Sequence, residues 1–277
     1  MPRLVQKPPF PDTPGKWLAC YRYRWQPGGK ACSPEQLGSV LGVSGTTVRR
    51  WEAGQLRPTR QDLSRFAATC ELTALEESFL LQAFQARETE SAPSAVAFER
   101  MATQALQSDQ PAFLMDSLFY VRARNTYMHE LVQRDLTPLT NNAVMGVFGP
   151  TRVPSRNRSP LRMIRSFWFS TAGISGLPPF RRLLASLREV EGFEDAWWRI
   201  AMTREEAEEA NNLPTAFSHP EHGEYRVYMT RITVPPVYYL REYVPMDAKA
   251  VEFVKRMKAS GSNEMEGAEP HHWAFQE

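Results

Sequence analysis

The chain has 277 residues, enough for about two domains, and its 42% hydrophobic and 23% charged residues are those of an ordinary folded protein. No apolar run approaches the roughly 20 residues of a membrane-spanning helix, and the proline-rich start MPRLVQKPPFPDTP lacks a signal peptide's apolar stretch, so a cytoplasmic protein without a membrane partner is expected. Net charge is only +2, but residues 1–72 hold eleven Lys and Arg against five Asp and Glu, and the remainder 22 against 26, which fits a nucleic-acid reader joined to a part with another task.

Residues 1–15 read as a disordered start, and Trp17 to Trp25 as a first helix with Arg22, Arg24 and Lys30 at or near its end, in reach of phosphate. Ser33 caps a second helix, with Pro34 first and Gln36 completing a capping box. Leu37 and Leu41 share one face, Gly42 permits the backbone that ends the helix, and Ser44 caps the next. In this third helix Val48 and Trp51 point inward, which turns Thr46, Thr47, Arg49 and Arg50 outward. Thr59, with Asp62 three residues on, opens a fourth helix, where Arg57 and Arg60 and the first-turn amides suit a phosphate. Thr73 and Glu76 box a fifth helix carrying Leu75, Phe79 and Phe84. Cys20, Cys32 and Cys70, odd in number and without CxxC spacing, predict buried reduced thiols.

Two short helices meeting at a tight turn make a helix-turn-helix pattern, whose second helix presents side chains to base edges. The run Leu41, Gly42, Val43, Ser44, Thr47, Val48, Arg50, Trp51, Glu52 and Gly54, followed by Arg57-Pro58, resembles the XRE family, the lambda and 434 repressor type, from about Trp17 to Leu72. Many members carry glutamine where this chain has Pro34. The resemblance implies an all-α five-helix lambda-repressor-like domain over 16–87, with DNA contacts from Ser44, Thr46, Thr47, Arg49, Arg50, Arg57 and Arg60.

The polar stretch 88–96 reads as a linker, with Ala97 to Ser108 a connecting helix, so that 88–108 joins two domains. Phe113 to Met115 and Phe119 to Arg124 predict two short strands with Asp116-Ser117 between them, and Asn125 caps a helix carrying Tyr127, Met128, Leu131 and Val132. From Asn141 to Met202 large apolar residues crowd short, proline-broken helices. Glu205 to Ala210 is a solvated helical piece. Glu224 to Val234 and Val237 to Pro245 predict an antiparallel hairpin, followed by a helix from Ala248 to Ala259 and a loose tail over 261–277. The spacing of His219, Glu221, His222 and Glu224 is not that of HExxH, and Pro220 and Gly223 put them in a turn, so a structural His219 is expected and no metal. No catalytic fingerprint is present, and none of the three thiols pairs with histidine in a recognisable arrangement, so no enzyme is expected.

Pro111 to Asp116 (PAFLMD), Ala123 to Asn125 (ARN) and Phe217 to Glu224 (FSHPEHGE) look like the ligand-binding domain of MmyB-like transcription regulators, over roughly Pro111 to Pro245. The resemblance implies a PAS-like α+β sensor domain over 109–260 that takes a fatty acid or similar lipid. Its Met, Phe and Trp residues can equally pack as a core or line a cavity. Lining candidates are Phe113, Tyr120, Met128, Leu131, Phe148, Met163, Phe167, Trp197, Arg226, Tyr228 and Tyr239, and the polar end can be Arg122, Arg124, Arg226, Tyr228 or Tyr239. The whole reads as an α+β chain: a transcription regulator with double-stranded DNA and a small apolar ligand as partners, acting as a homodimer and needing no cofactor. A protein-docking module or a fused enzyme are the alternatives for the second domain.

Overall fold

A computed structural model describes residues 8–85, 95–132, 142–144, 160–203, 215–232, 238–260 and 265–266. In chain order the helices are α1 (Pro14–Arg24), α2 (Pro34–Leu41), α3 (Gly45–Glu52), α4 (Arg60–Thr69), α5 (Ala74–Phe84), α6 (Ala95–Leu106), α7 (Thr126–Val132), α8 (Pro160–Ser170), α9 (Pro178–Arg188), α10 (Phe193–Met202) and α11 (Ala248–Ala259). The strands are β1 (Ala112–Asp116), β2 (Val121–Asn125), β3 (Thr215–His219), β4 (Gly223–Ile232), β5 (Tyr238–Pro245) and β6 (Met265–Glu266). They form two compact units, Met1–Arg87 with Trp168–Asn211, and Glu88–Phe167 with Asn212–Glu277.

In the first unit side-chain caps set the helix starts. Ser33 with Gln36, Thr59 with Asp62 and Thr73 with Glu76 form reciprocal boxes at α2, α4 and α5, as expected from the sequence, while Thr13 caps α1 three residues before the expected start at Trp17. Leu37, Val48, Trp51, Leu63, Phe66, Phe79 and Leu80 are buried between these helices.

Burial of Trp17 on α1 is where the structure departs from the expected boundaries. Its ring lies 5.2 Å from Phe79, 5.4 Å from Trp168 and 5.6 Å from Trp197. Trp197 also stacks on Phe193 and donates Nε1–H to the carbonyl of Pro11 at 3.1 Å, while Phe10 lies against both Trp197 and Trp198. Residues 168–203 thus fold with the N-terminal helices and not within a contiguous 109–260 domain, and residues 8–13, expected to be disordered, are held by this aromatic cluster. The physical reason is aromatic area: Trp168 and Trp197 lie against Trp17 and Phe79, and large aromatic surfaces pair at about 0.5–1.5 kcal/mol beyond their burial.

The second unit is a six-stranded antiparallel sheet in the order β3-β4-β5-β1-β2-β6. Both expected strand pairs and the Ala248–Ala259 helix are present, and Asn125 Oδ1 accepts from the Met128 amide at 3.0 Å at the start of α7. Cross-strand partners share a face. One face carries Ala112, Leu114, Ala123, Tyr238 and Leu240, and α6 covers it with Phe98, Ala102 and Leu106. The helix expected to be part of a linker is therefore half of a core, because its apolar stripe matches this face. Met265 and Glu266, expected in a loose tail, pair with β2. The expected helical piece Glu205 to Ala210 and the linker residues 88–94 lie outside the described residues.

Candidate nucleic-acid interface

The α2–α3 turn is built by close approach. Gly42 takes φ 73° and ends α2, and Ser44 Oγ accepts the Thr47 amide at 3.0 Å to start α3. A Cβ on Gly38 would sit 2.8 Å from the Val43 carbonyl oxygen and 2.9 Å from the Gly45 nitrogen, and one on Gly45 would sit 2.9 Å from the Glu35 Cα. Both glycines let the two helices touch at backbone distance. On the other side Gly15 of α1 meets the end of α3, its missing Cβ falling 2.4 Å from the Glu52 carbonyl oxygen.

Buried Val48 and Trp51 fix the roll of α3. Thr46, Arg49 and Arg50 are left exposed with Ser44, and Thr47 is half-buried, its hydroxyl 2.9 Å from Ser44 Oγ. Arg49 ion-pairs with Glu35 of α2 at the surface, where such a pair contributes about 0–1 kcal/mol and exchanges readily for phosphate. Arg57 and Arg60 are exposed before and at the start of α4, after a turn in which Gly54 takes φ 70°. Asp62 Oδ2 accepts from the Thr59 amide at 3.0 Å, so one carboxylate already sits at this helix start. Hydroxyls on Ser44 and Thr46 and guanidinium groups on Arg49, Arg50, Arg57 and Arg60 are groups that read base edges and hold phosphates.

Arg22 and Arg24 have other work. Arg22 forms a bidentate pair with Glu52 at the end of α3, Nε to Oε1 2.5 Å and Nη2 to Oε2 3.0 Å, and donates to the Cys32 carbonyl at 2.5 Å. Arg24 pairs with the capping-box residue Glu76 at 2.6 and 3.0 Å. Neither reaches toward a phosphate; each locks α1 to a neighbouring helix, and pairs this poorly hydrated are costly to break from one side. The three cysteines are free and buried, as expected, with burial raising the Cys20 thiol to about 12 and also raising Cys32 and Cys70, which makes them inert at neutral pH. A cavity of about 240 Å³ lined by Arg24, Trp25, Gln26, Pro27, Cys70 and Glu71 lies in this unit, remote in sequence from the expected ligand pocket.

In the second unit the expected ligand residues divide. Phe113, Met163, Phe167 and Tyr239 are buried together: Phe119 lies 5.5 Å from Phe167 and 5.8 Å from Tyr239, and Arg241 sits over Phe113 and Phe119 at 6.0 and 5.7 Å. Arg241 Nη2 also reaches Met163 Sδ at 3.5 Å and Met229 Sδ at 3.9 Å. Phe119 holds φ 65°, a conformation bulky side chains avoid, at the centre of this group. Met128 and Leu131 are buried on α7, and Tyr120 is half-buried. Trp197 belongs to the first unit, and Arg226 and Tyr228 are exposed on the sheet face opposite Arg241, so these three are not part of the cluster. Phe148 lies outside the described residues. Of the suggested polar ends, Arg122 pairs with buried Asp116, whose carboxyl is pushed up by burial against the opposing pull of Arg122, and Arg124 Nη2 lies 2.6 Å from His129 Nδ1.

Sequence reading missed Glu35, Gly38, Gly45 and Arg241. A glycine inside a helical pattern, as Gly38 is, signals close packing. The alternation Tyr239, Arg241, Tyr243 puts the arginine on the face of two buried tyrosines, a signal that period-two reading would have found. His219 behaves as expected: Nδ1 accepts the amides of Glu221 and His222 at 3.2 and 3.1 Å, and Gly223 takes φ 84°. Among the described residues no three metal-ligating side chains come together, and no helix is long and apolar enough to cross a membrane.

Residues 30–79 match the family described as a helix-turn-helix domain. No curated protein matches the chain.

Proposed function

We propose that this chain is a sequence-specific DNA-binding transcription regulator of the XRE type, reading two half-sites as a homodimer through α3. The observation that carries the reading is the helix-turn-helix match together with the outward row Ser44, Thr46, Arg49, Arg50, continued by Arg57 and Arg60. The two helices sit at backbone distance, which holds α3 rigidly enough for its side chains to be read in register with base edges. Selection from random duplexes, then titration at several salt concentrations, tests it. A preferred sequence bound with a steep salt dependence is expected; indifference to duplex at low salt would refute it.

The second unit is proposed to be an MmyB-like, PAS-like sensor of a small apolar ligand such as a fatty acid. Support comes from the strand pair leading into α7 and from the Phe113, Phe119, Met163, Phe167 and Tyr239 cluster around the Arg241 cation. Apolar walls with a cation among them suit a carboxylate on a hydrocarbon chain, each buried methylene contributing about 0.8 kcal/mol. Binding that favours one packing of this unit would then bias DNA reading. Native mass spectrometry of the purified chain, with and without added myristate, checks this: retention of one apolar molecule is expected, and its loss in Arg241→Ala with the fold intact assigns the head group.

A further inference from the structure

In a helix-turn-helix the residues at the start of the second helix are the ones that meet base edges. Here the first residue of α3 is Gly45, which has no side chain to present. Another residue fills the space. A Cβ on Gly45 would sit 2.9 Å from the Glu35 Cα, 3.1 Å from its Cγ and 3.0 Å from its Oε1, so the whole Glu35 side chain lies along the spot where a Gly45 side chain would begin. It is 57% exposed, with its carboxylate at the surface and not in the core. The polar groups around it are otherwise engaged: Ser33 and Gln36 bond to each other's backbone amides in the capping box, Pro34 has no polar side chain, and Ser44 Oγ takes the Thr47 amide and lies 2.9 Å from the Thr47 hydroxyl. A carboxylate at a DNA surface needs its charge balanced. Arg49 comes one turn after Gly45 on the same side of α3, and its Nη2 donates to Glu35 Oε1. A guanidinium has five N–H donors and a carboxylate about four acceptor sites, so the pair keeps donors for phosphate and the oxygen Oε2 for a base.

We propose that Glu35 of α2 is a base-reading residue, standing in for the side chain that Gly45 lacks and selecting cytosine at one position of the half-site, with Arg49 balancing its charge against the phosphates. The assignment rests on the reading of the chain as a sequence-specific DNA-binding protein. An ionised carboxylate only accepts hydrogen bonds, so it must find a donor in the major groove, and the donors there are the N4 amino group of cytosine and the N6 amino group of adenine. Adenine sets its N7 acceptor beside N6, which repels the second carboxylate oxygen, whereas cytosine presents N4 without an acceptor of its own at that edge. The N7 and O6 of guanine and the O4 of thymine are acceptors and repel it outright. A negative residue in a basic interface thus discriminates by exclusion: it weakens contact with every duplex that lacks the right donor at that position.

Selection from random duplexes by the full chain, wild type beside Glu35→Gln and Glu35→Ala, is the test, with circular dichroism melts confirming the fold of each variant. The wild type should prefer cytosine at one half-site position by roughly 5–150-fold over the other bases. In Glu35→Gln that position should change to adenine, because a glutamine amide donates to N7 while accepting from N6. In Glu35→Ala it should lose its preference, and both variants should keep the other positions. Arg49→Ala should weaken binding more in the wild-type background than in Glu35→Gln, since only the first leaves an uncompensated carboxylate among phosphates. The same motif from wild type and Glu35→Gln, a loss spread evenly over all positions, or an equal cost of Arg49→Ala in both backgrounds overturns the assignment and leaves the DNA-binding reading in place. A wild type that selects no sequence overturns that reading itself, and the assignment with it.

Discussion

Replacing Gly38 by alanine tests the close approach on which the DNA-reading geometry depends. The substitution carries two opposed effects. Removing glycine from a helix interior stabilises by about 1 kcal/mol. Against this, the new Cβ would fall 2.8 Å from the Val43 oxygen, 2.9 Å from the Gly45 nitrogen and 3.0 Å from the Ser44 carbonyl carbon. All three are backbone atoms of the turn and of the first residue of α3, so none can rotate away, and α2 and α3 must separate by about half an ångström. Overpacking costs about 1–3 kcal/mol, and contacts with backbone atoms that cannot move aside put this one in the upper part of that range, about 2–3 kcal/mol, which leaves a net loss of about 1–2 kcal/mol. For a unit of this size the melting temperature should fall by roughly 3–8 °C. A tilted α3 should lose affinity for its preferred duplex while keeping non-specific binding at low salt. Gly173→Ala is the control, because a Cβ there meets nothing within 4 Å and only the backbone gain of about 0.4–1 kcal/mol remains, so its melting should lie at or slightly above that of the wild type. If Gly38→Ala melts at or above the wild type and reads the same duplex as tightly, the helices are not held at backbone distance.

Arg50 and Arg57 should separate in a duplex titration: Arg50→Ala costs about 1–3 kcal/mol on the preferred sequence and relaxes specificity, whereas Arg57→Ala weakens all sequences alike and lowers the salt slope. Trp197→Ala should destabilise the first unit by about 3–5 kcal/mol, since it removes a ring packed on Trp17 and Phe193; a fluorescence melt that changes only in the second unit would contradict the unit boundary. The turn before β4 should respond to acid. His219 and His222 stack at 4.4 Å, His222 stacks on Phe253, and His219 Nδ1 accepts two amides, so neutral rings are required. Burial lowers both pKa values below the ordinary 6.5; at His219 the His222 charge and Lys249 act in the same direction and Glu221 against it, and at His222 Arg256 and Lys249 act in the same direction and Glu221 and Glu130 against it. The unfolded chain therefore takes up protons first as pH falls below 6.5, and stability present above that value is lost on acidification toward the lowered folded values. Melting of the second unit between pH 7 and 5 should show this drop and should show less of it in His222→Phe, which keeps the stack on Phe253 without titrating.

The local signals held wherever an element's start depends on its own side chains. Ser33 with Gln36, Thr59 with Asp62 and Thr73 with Glu76 satisfy first-turn amides within three residues, so the capping pattern could be read directly. Gly42 and Gly223 had their roles for the same reason, since positive φ is a property of one residue. The outward set on α3 followed from the spacing of Val48 and Trp51.

Tertiary structure decided what those elements pack against. Large aromatic residues such as Trp168 and Trp197 are compatible with any core, and only contact with Trp17 and Phe79 made them part of the first unit. Arg22 and Arg24 looked available to phosphate because a carboxylate 30 or 52 residues away leaves no local trace. Arg226 and Arg241 lie on neighbouring strands of one sheet, and registry set them on opposite faces, one in water and one among aromatic rings. Hydrogen bonding within a helix turn or a cap is short-range and is written in adjacent residues, whereas apolar burial is non-directional and goes to whichever surface most needs covering.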